Sequence, residues 1–429
     1  MPSSADYLPR KASGLVLEAL SDTRVVVVNG ARQVGKSTLA TAVLSLLPES
    51  TARYLDNPLT RTAAQEDPVR FVRHDHLMLI DEVQRVPDLW LAIKELVDRE
   101  PRPGRFLLTG SARLLGLRSL PDALPGRAET IELWPLSQGE IDAAPDGFVD
   151  AAFSTGARLA ELPESGAAPP TRKDYLARAA RGGYPEAVRR ETPRRRQRFF
   201  NNYLADIMSR DVHQVADIQR TGEMRRLLSL LAGQASGLLN TSRLASALGL
   251  SAPTVRSYLA ILETVFVVRL VPAYSTNVTQ RAIGTPKVTF VDSGLAAHLT
   301  SGITADAVVG GLLENFVLGE LGRQLTWSET DARLFHYRDR DDNEVDAILE
   351  DTTGRIIGIE VKAAETVRVD DFRALRILRD RLGERFAAGY ILYCGPQRLS
   401  FGDRLVCLPI SDLWTTPPSG AGHDSVLLG

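Results

Sequence analysis

The segment VVVVNGARQVGKSTLA, residues 25–40, restricts the possible folds of this chain more than any other segment. Its four valines carry the β-branched side chains that favour a buried strand, and a helical stretch follows the glycine-containing loop. Gly30, Gly35, Lys36 and Ser37 stand at the spacing G-x-x-x-x-G-K-[ST]. In a strand, loop and helix of this kind, the loop N–H groups and the helix N-terminus point at phosphate oxygens. The segment therefore predicts an α/β fold with a phosphate-binding loop.

The side chains of this loop predict a triphosphate ligand with a magnesium ion. We expect Lys36 to reach the β- and γ-phosphates and the Ser37 hydroxyl to ligate Mg²⁺. A chance glycine-rich turn is the alternative interpretation. The predicted nucleotide-binding residues are Gly30, Ala31, Arg32, Gln33, Val34, Gly35, Lys36, Ser37 and Thr38.

A second apolar run, LMLIDEVQ, ends on two acids, Asp81 and Glu82. In open α/β sheets, ligands lie at the carboxyl ends of the strands, where these two carboxylates are expected. Asp81 is the predicted second magnesium ligand, and Glu82 is predicted to orient or deprotonate the attacking water. An acidic pair at a strand end is by itself commonly a solvated edge. Its position after a phosphate-binding loop is what indicates a catalytic site.

Two later segments offer further catalytic candidates. The run RFLLTGSA ends a predicted strand, and Thr109 or Ser111 would meet the γ-phosphate or the water if that strand lies beside the acidic one. A turn that needs small residues is the alternative. Arg127 stands just before another strand, where it would serve a neighbouring subunit's nucleotide in a self-associated form. An exposed or ion-paired arginine explains the residue equally well.

The 429 residues exceed what one hydrophobic core usually serves, so several domains are expected. Residues 11–140 alternate apolar runs with helical patterns, as a mainly parallel sheet does, with strands at 24–29, 52–56, 77–81, 105–110 and 129–134. The predicted order is a P-loop core (1–145), a loose excursion or linker (146–172), a helical region (173–235), a winged helix-turn-helix (236–300), a second α/β domain (301–415) and a disordered tail (416–429).

Composition restricts the surroundings of the chain. A formal charge of -2 gives no overall attraction to nucleic acid, so any such contact is local. Two cysteines, Cys394 and Cys407, cannot build a disulfide framework and suggest a reducing compartment. No stretch approaches the length of a membrane span. These features predict a cytoplasmic protein without a membrane partner.

The motifs together resemble those of bacterial and archaeal AAA+-type ATPases that carry a C-terminal DUF4143 domain. The matching runs are GARQVGKST, YLDNP, LIDEVQ, LTGSARLL, LPGRAETIELWPLS and GGYPEAV, and the similarity covers about residues 8–410. The resemblance implies a RecA-like core with a five-stranded parallel sheet and a helical region after it. It also implies ATP rather than GTP as the nucleotide.

The C-terminal domain carries a second cluster of charged residues. Glu360 and Lys362 project from one face of a predicted strand, and Asp346 on a neighbouring strand can meet Glu360 around a metal, for which Mg²⁺ or Mn²⁺ is suited. This pattern is similar to the PD-(D/E)XK nuclease fold, a restriction-endonuclease-like α/β domain. The resemblance implies a further acid on the first helix of the domain, and Glu314 stands at the matching position. DNA cleavage stays open, because related domains lose the chemistry. A Glu–Lys pair on an exposed strand is the alternative.

DNA is the predicted partner of the winged helix-turn-helix. Arg243, Thr254 and Arg256 lie where a recognition helix meets the major groove. The arginines of VRRETPRRRQRFF offer a second basic stripe, although charge runs are commonly solvated and winged helices also bind proteins. The sequence thus favours a Mg²⁺-dependent ATPase coupled to a DNA-acting, nuclease-like module. The alternative is a slow nucleotide switch that scaffolds protein partners and has a silent nuclease fold.

Overall fold

The computed structural model describes residues 7–47, 49–110, 124–162, 169–212, 221–301 and 305–418. Its N-terminal part is built around a five-stranded sheet. The strands are β1 (Val25–Asn29), β2 (Ser50–Tyr54), β3 (Leu77–Asp81), β4 (Phe106–Gly110) and β5 (Ala128–Glu132). All their pairings are parallel, in the order β2-β3-β4-β1-β5. The predicted parallel sheet is confirmed, with each strand boundary within two residues of its expected place.

The sheet order brings together the strand ends that carry Asp81 and Thr109. Strand β4 lies between β1 and β3, with Asn29 opposite Gly110 and Ile80 opposite Leu108. The carboxyl ends of β1, β3 and β4 therefore meet. Since β1 is buried along its whole length, its uninterrupted valines are what a central parallel strand requires.

Helices cover both faces of this sheet. The helices Ala12–Asp22 and Lys36–Ser45 share a core with Val26, Val28 and Leu107 on one face. On the other face, the helix Leu89–Arg99 packs with Val25, Ile80 and Phe106. Shorter helical segments complete this part of the chain: Pro58–Glu66, Pro68–Phe71, Val83–Arg85 and Gln138–Asp142.

The prediction of a loose excursion at 146–172 is wrong for its first part. A helix spans Phe148–Thr155, and a 3₁₀ helix continues over Gly156–Glu161. Phe148 and Phe153 are buried in the core of the C-terminal domain. The alanine-rich composition suggested a linker, but the apolar residues of this segment complete one face of that domain.

The middle region is mainly helical. A helix over Thr241–Leu248 is followed by Gly249 in the left-handed region and by a second helix over Ala252–Thr264. A two-stranded antiparallel ribbon follows, made of β6 (Val268–Val271) and β7 (Lys287–Phe290). The remaining helical segments are Arg172–Arg181, Pro185–Val188, Pro193–Asp206, Ile207–Asp211, Thr221–Gly233, Val278–Ile283 and Ser293–Leu299.

A six-stranded mixed sheet forms the C-terminal domain. Its strands are β8 (Ala332–Arg338), β9 (Glu344–Asp351), β10 (Ile356–Lys362), β11 (Phe386–Tyr393), β12 (Leu399–Ser400) and β13 (Leu405–Pro409), in the order β12-β13-β11-β10-β9-β8. The helix Asp306–Gln324, called the long helix below, packs on one face, and the helix Arg373–Leu382 packs on the other. A short helix, Asp412–Thr415, ends the domain.

The predicted disordered tail begins too early. Thr416 is buried, and its carbonyl accepts a hydrogen bond of 2.9 Å from the Gly147 N–H, so the chain is still part of the domain there. Residues 419–429 lie outside the described residues. Among the helices that the structure describes, none is both long and apolar enough to span a membrane.

Candidate functional site

The loop between β1 and the helix Lys36–Ser45 has a backbone that only glycine allows at two positions. A Cβ on Gly30 would lie 2.2 Å from the carbonyl oxygen of Leu133, which is far inside van der Waals contact. Gly35 has a φ of 97°, in the region that side chains rarely adopt. Both glycines of the motif are thus explained by the shape of the loop.

Lys36 is buried at the centre of this loop. Its ammonium donates to the carbonyl oxygens of Gly30 and Ala31, at 3.0 and 2.7 Å. It is therefore held where such a lysine faces bound phosphate. The predicted residues Gln33, Val34, Gly35, Ser37 and Thr38 line the adjoining cavity together with Lys36, whereas Gly30, Ala31 and Arg32 are not among its lining residues.

Hydroxyl groups position the two acids at the sheet edge. Ser37 Oγ donates to Asp81 Oδ1 at 2.8 Å, so the two predicted magnesium ligands are adjacent. Thr109 Oγ1 also donates to Asp81, and it accepts a hydrogen bond of 3.1 Å from the Glu82 backbone N–H. Thr109 thus connects the two acids through its single hydroxyl, and its predicted contact with the γ-phosphate or the water stays a prediction. Ser111 lies outside the described residues.

Glu82 has the environment of a general base. Its backbone adopts φ 59°, ψ 44°, which turns the side chain out of the strand direction and into the cavity. Gln84 Nε2 donates to Glu82 Oε2 at 2.5 Å. Burial raises the pKa of Glu82 above its usual range, and the nearby Lys36 ammonium works against that rise. The carboxylate is therefore more basic than an exposed glutamate.

The cavity at this edge has a volume of about 310 Å³ and includes residues that sequence reasoning missed. From the N-terminal segment come Tyr7, Leu8 and Arg10, and from the middle region come Pro185, Glu186 and Arg189. Arg189 Nη1 donates to Glu186 Oε1 at 3.3 Å. Two runs named in the sequence analysis overlap these six residues: GGYPEAV contains Pro185 and Glu186, and VRRETPRRRQRFF contains Arg189.

Arg10 joins the phosphate-binding loop to the segment after β5. Its guanidinium donates to Glu140 Oε1 at 3.1 Å, to the Val34 carbonyl at 2.8 Å and to the Trp134 carbonyl at 2.6 Å. The side chains of Arg10 and Glu140 are 6% and 2% exposed. One buried arginine thus fixes the loop carbonyl next to Gly35.

The same segment is bonded to the long helix of the C-terminal domain. Glu320 accepts from the Gln138 backbone N–H at 2.9 Å and from Arg323 Nη1 at 2.8 Å. Arg323 Nε in turn donates to the Pro135 carbonyl at 3.0 Å. A continuous set of buried hydrogen bonds therefore runs from the loop through Arg10 to the C-terminal domain.

Arg127 lies away from this chain's cavity. It precedes β5 and stands at the amino edge of the parallel sheet, opposite the edge that carries the loop. Its guanidinium is bonded to both carboxylate oxygens of Asp98. The ion-paired alternative therefore describes Arg127 in the single chain, and a role across a subunit interface stays a prediction.

The four predicted nuclease residues come together in the C-terminal domain. Asp346 Oδ2 accepts from the Val361 backbone N–H at 2.9 Å, and Lys362 Nζ donates to Glu360 Oε1 at 2.9 Å. Glu314 on the long helix reaches the same cluster. Burial, with the Asp346 charge second, raises the pKa of Glu360 to about 8.

A lysine that the sequence analysis missed lies at the centre of this cluster. Lys287, on β7, approaches Glu314 Oε1 at 2.6 Å, Glu344 Oε1 at 2.7 Å and Asp346 Oδ1 at 3.1 Å. Burial by itself would lower the pKa of Lys287, but the three carboxylates outweigh it and raise the pKa well above the usual range. The three carboxylates therefore favour the charged form of Lys287.

The predicted second metal does not fit this arrangement. Carboxylate oxygens suit Mg²⁺ or Mn²⁺, but an ammonium group already lies among them. In the described part of the chain, no group of three or more His, Cys, Asp or Glu residues is arranged to hold a metal ion. The donors at Ser37 and Asp81 do suit the magnesium of a nucleotide.

The predicted DNA contacts are at the surface of the middle region. Arg243 and Arg256 are exposed, and Thr254 is half-buried with its hydroxyl 2.8 Å from that of Ser251. Ser251 caps the second helix by accepting from the Thr254 N–H. The two arginines are the side chains of this set that face solvent.

The loop, the acidic strand end and the cavity define a P-loop ATPase-like nucleotide site. The chain matches the AAA domain family over residues 22–142 and two domains of unknown function, DUF8612 over 172–307 and DUF4143 over 309–413. Its N-terminal part is thus similar to AAA domains and its C-terminal part to DUF4143 domains, and the resemblance seen in the sequence is confirmed.

Relatives extend over most of the chain. Uncharacterized proteins of Mycobacterium tuberculosis and Mycobacterium bovis are each 29% identical over 415 residues, which is 95% of this chain and 85% of theirs. Among solved structures, the Walker-type ATPase PABY2304 of Pyrococcus abyssi is 15% identical, with 69% of this chain and 97% of that chain covered and a TM-score of 0.42. The RuvB Holliday junction branch migration motor of Thermotoga maritima is 21% identical, with coverages of 61% and 88% and a TM-score of 0.29. These TM-scores are too low to bear on function.

Proposed function

We propose that this chain is a Mg²⁺-dependent ATPase whose nucleotide state controls a DNA-acting middle region and a nuclease-like C-terminal domain. The observation that carries the proposal is the bonded set of Ser37, Asp81, Thr109 and Glu82 at the edge of the loop cavity. It supplies a pair of magnesium ligands and a carboxylate for water at adjacent strand ends. Such a set is what phosphoryl transfer to water requires.

Each residue of this set has a separate task in hydrolysis. Lys36 and the N–H groups of the loop bind the phosphates, while Ser37 and Asp81 would hold Mg²⁺, which neutralises charge on the phosphates when bound. Thr109 keeps Asp81 and Glu82 in place. Glu82 accepts a proton from the attacking water as the water's oxygen bonds to the γ-phosphorus, and the bond to the β-phosphate oxygen breaks.

Two features support an output beyond the nucleotide site. Glu186 and Arg189 of the middle region line the cavity, so that region borders the phosphate-binding loop. The helix, turn, helix and antiparallel ribbon over 241–290 have the order of a winged helix, and Arg243 and Arg256 are exposed on it. We therefore propose duplex DNA as the partner of this surface.

The first test is ATP hydrolysis by the purified chain with and without double-stranded DNA. We expect DNA to stimulate turnover several-fold, because closure of the middle region over the cavity completes the site. The Lys36→Ala protein supplies the background rate, and Lys173→Ala, which removes an exposed lysine, is the matched control. Hydrolysis that Lys36→Ala does not lower would contradict the proposed ATPase.

The second test addresses the DNA surface directly. An Arg243→Ala, Arg256→Ala double variant should bind duplex DNA less tightly, by about tenfold at low salt, because two phosphate contacts are lost. Arg70→Ala, at another exposed arginine, is the matched control. Fluorescence anisotropy with labelled DNA at several salt concentrations measures the effect. Equal binding by the double variant and the control would remove DNA from the proposal.

Lys287 favours a second candidate function. A cluster occupied by a lysine does not hold the metal that cleavage by a PD-(D/E)XK site uses, so a silent nuclease fold is compatible with it. The chain would then be a slow nucleotide switch that scaffolds protein partners. Nucleotide hydrolysis unaffected by DNA, with no DNA retained at low salt, would favour this candidate.

A further inference from the structure

The ammonium group of Lys287 is matched by the carboxylates around it. A lysine has three N–H donors, and Glu314, Glu344 and Asp346 each place one oxygen within 3.1 Å of Lys287 Nζ. The Lys287 side chain is 1% exposed. A buried charge is expensive unless it is paired and hydrogen-bonded, and here the ammonium donates to Glu314 and Asp346 and forms a third ion pair with Glu344. The lysine is therefore part of a built ionic site.

The backbone that carries Lys287 is fixed against the long helix. The Asn315 side chain accepts from the Phe290 N–H at 2.6 Å and donates to the Phe290 carbonyl at 3.1 Å, as a neighbouring strand would. Lys287 itself pairs with Val271 across the ribbon. Glu314 precedes Asn315 on the helix. The register that Asn315 sets is thus the register that brings Lys287 to Glu314.

The cluster contains more acid than this lysine neutralises. Glu360 has Lys362 as a partner for one carboxylate oxygen, but its other oxygen, Oε2, is buried and has no hydrogen-bond partner among the described residues. Glu314, Glu344, Asp346 and Glu360 meet three cations, namely Lys287, Lys362 and Arg338, which contacts Glu344 at 3.5 Å. The unpartnered Glu360 Oε2 is a buried acceptor that a cation at this position would satisfy.

We propose that Lys287 is a tethered cation that takes the place of a divalent metal ion in the acidic cluster, which binds Mg²⁺ or Mn²⁺ only when this side chain is removed or withdrawn. The ammonium-to-oxygen distances of 2.6 to 3.1 Å suit hydrogen bonds and leave no room for a metal beside the nitrogen. The inference concerns the contact between β7 of the middle region and the C-terminal domain, and it does not depend on the nucleotide chemistry. If the ribbon of β6 and β7 withdrew, Lys287 would leave the cluster and the carboxylates would become available to a metal ion.

The test is Mn²⁺ binding to the full, nucleotide-free chain. Binding is measured as the decrease of the electron paramagnetic resonance signal of free Mn²⁺. Lys287→Met keeps the aliphatic stem and removes the charge. We expect it to bind one more Mn²⁺ than the wild type, at least about tenfold more tightly than any Mn²⁺ that the wild type binds at this cluster. Mn²⁺ should also raise the melting temperature of Lys287→Met above its value in a chelator.

Two controls identify the cluster as the site. Lys362→Met removes the other lysine but leaves Lys287 in place, so it should gain no Mn²⁺. Adding Asp346→Asn to Lys287→Met should abolish the gain, while any Mn²⁺ held at Ser37 and Asp81 is common to all the proteins. Gain of Mn²⁺ by Lys362→Met as strong as that by Lys287→Met would contradict the assignment of Lys287.

One further variant keeps the test decisive if Lys287→Met does not fold. Lys287→Met with Glu344→Gln removes one acid together with the lysine and spares Glu314, Asp346 and Glu360. Glu344 is the most exposed of the three acids that contact Lys287. A folded double variant that takes up no additional Mn²⁺ overturns the proposal. So does wild-type Mn²⁺ binding that Asp346→Asn reduces and that is as tight as the binding by Lys287→Met, since Lys287 would then not exclude the ion.

Discussion

Glu82→Gln is expected to lower ATP turnover by about 10² to 10⁴-fold while ATP still binds, because the amide has the same shape and cannot accept the proton of the attacking water. The Glu82 backbone N–H would still bond to Thr109, so the strand end should keep its geometry. Single-turnover hydrolysis and the dissociation constant of a fluorescent ATP analogue are the two measurements. Glu100→Gln is the control, because Glu100 is a half-exposed acid of the same N-terminal domain.

The same carboxylate sets the expected pH dependence. Burial raises the pKa of Glu82, so the protonated form persists to higher pH than in an exposed glutamate. The base must be ionised, and turnover should therefore fall as the pH drops through this raised pKa. Wild-type turnover should show this acid limb, and the residual turnover of Glu82→Gln should not. Loss of ATP binding in Glu82→Gln, or an unchanged rate, would show that Glu82 does not act as the base.

The nucleotide site was largely predictable because its signals are local in sequence. The loop, its glycines and Lys36 stand within one short motif, and the strand ending at Asp81 reads as a single apolar run. Parallel pairing then brings the strand ends together without further information from the sequence. The task of Thr109 needed the structure, since it depends on the pairing of β4 beside β3.

The remaining contacts were not predictable because they join distant parts of the chain. Arg10 and Glu140 are 130 residues apart, and nothing in the pattern around either residue indicates the other. Lys287 lies in a short apolar strand and shows no sign in the sequence of reaching Asp346, 59 residues later. Such pairs are set by the packing of domains, and local patterns do not report on it.

The helix Phe148–Thr155 was missed for a different reason. Its alanines and the glycines and prolines that follow have the composition of a linker, while Phe148 and Phe153 are buried against the C-terminal sheet. Composition averages over residues and hides the few large apolar side chains that decide where a segment packs. The boundary of that domain in space therefore differs from its boundary in sequence.

Arg10→Met is expected to destabilise the chain by about 3 to 5 kcal/mol, because removal of one partner leaves the buried Glu140 charge unpaired. Glu140 would retain the Lys11 N–H, at 2.8 Å, as a donor to the same carboxylate oxygen. The Val34 and Trp134 carbonyls would each lose a donor as well. Thermal unfolding measures the loss of stability, and Arg70→Met, at an exposed arginine, is the control.

Two further proteins separate the ionic contribution from the positioning of the loop. Arg10→Met with Glu140→Gln should be more stable than Arg10→Met alone, because the unpaired charge is gone. We expect Arg10→Met to bind ATP more weakly than the wild type, and the double variant should do the same. In both proteins the carbonyl of Val34 beside Gly35 lacks the guanidinium that fixes it. Arg10→Lys should not restore the affinity, because one ammonium cannot span three acceptors held in a planar fork. Full ATP affinity in the double variant would mean that Arg10 only stabilises the fold and does not shape the phosphate-binding loop.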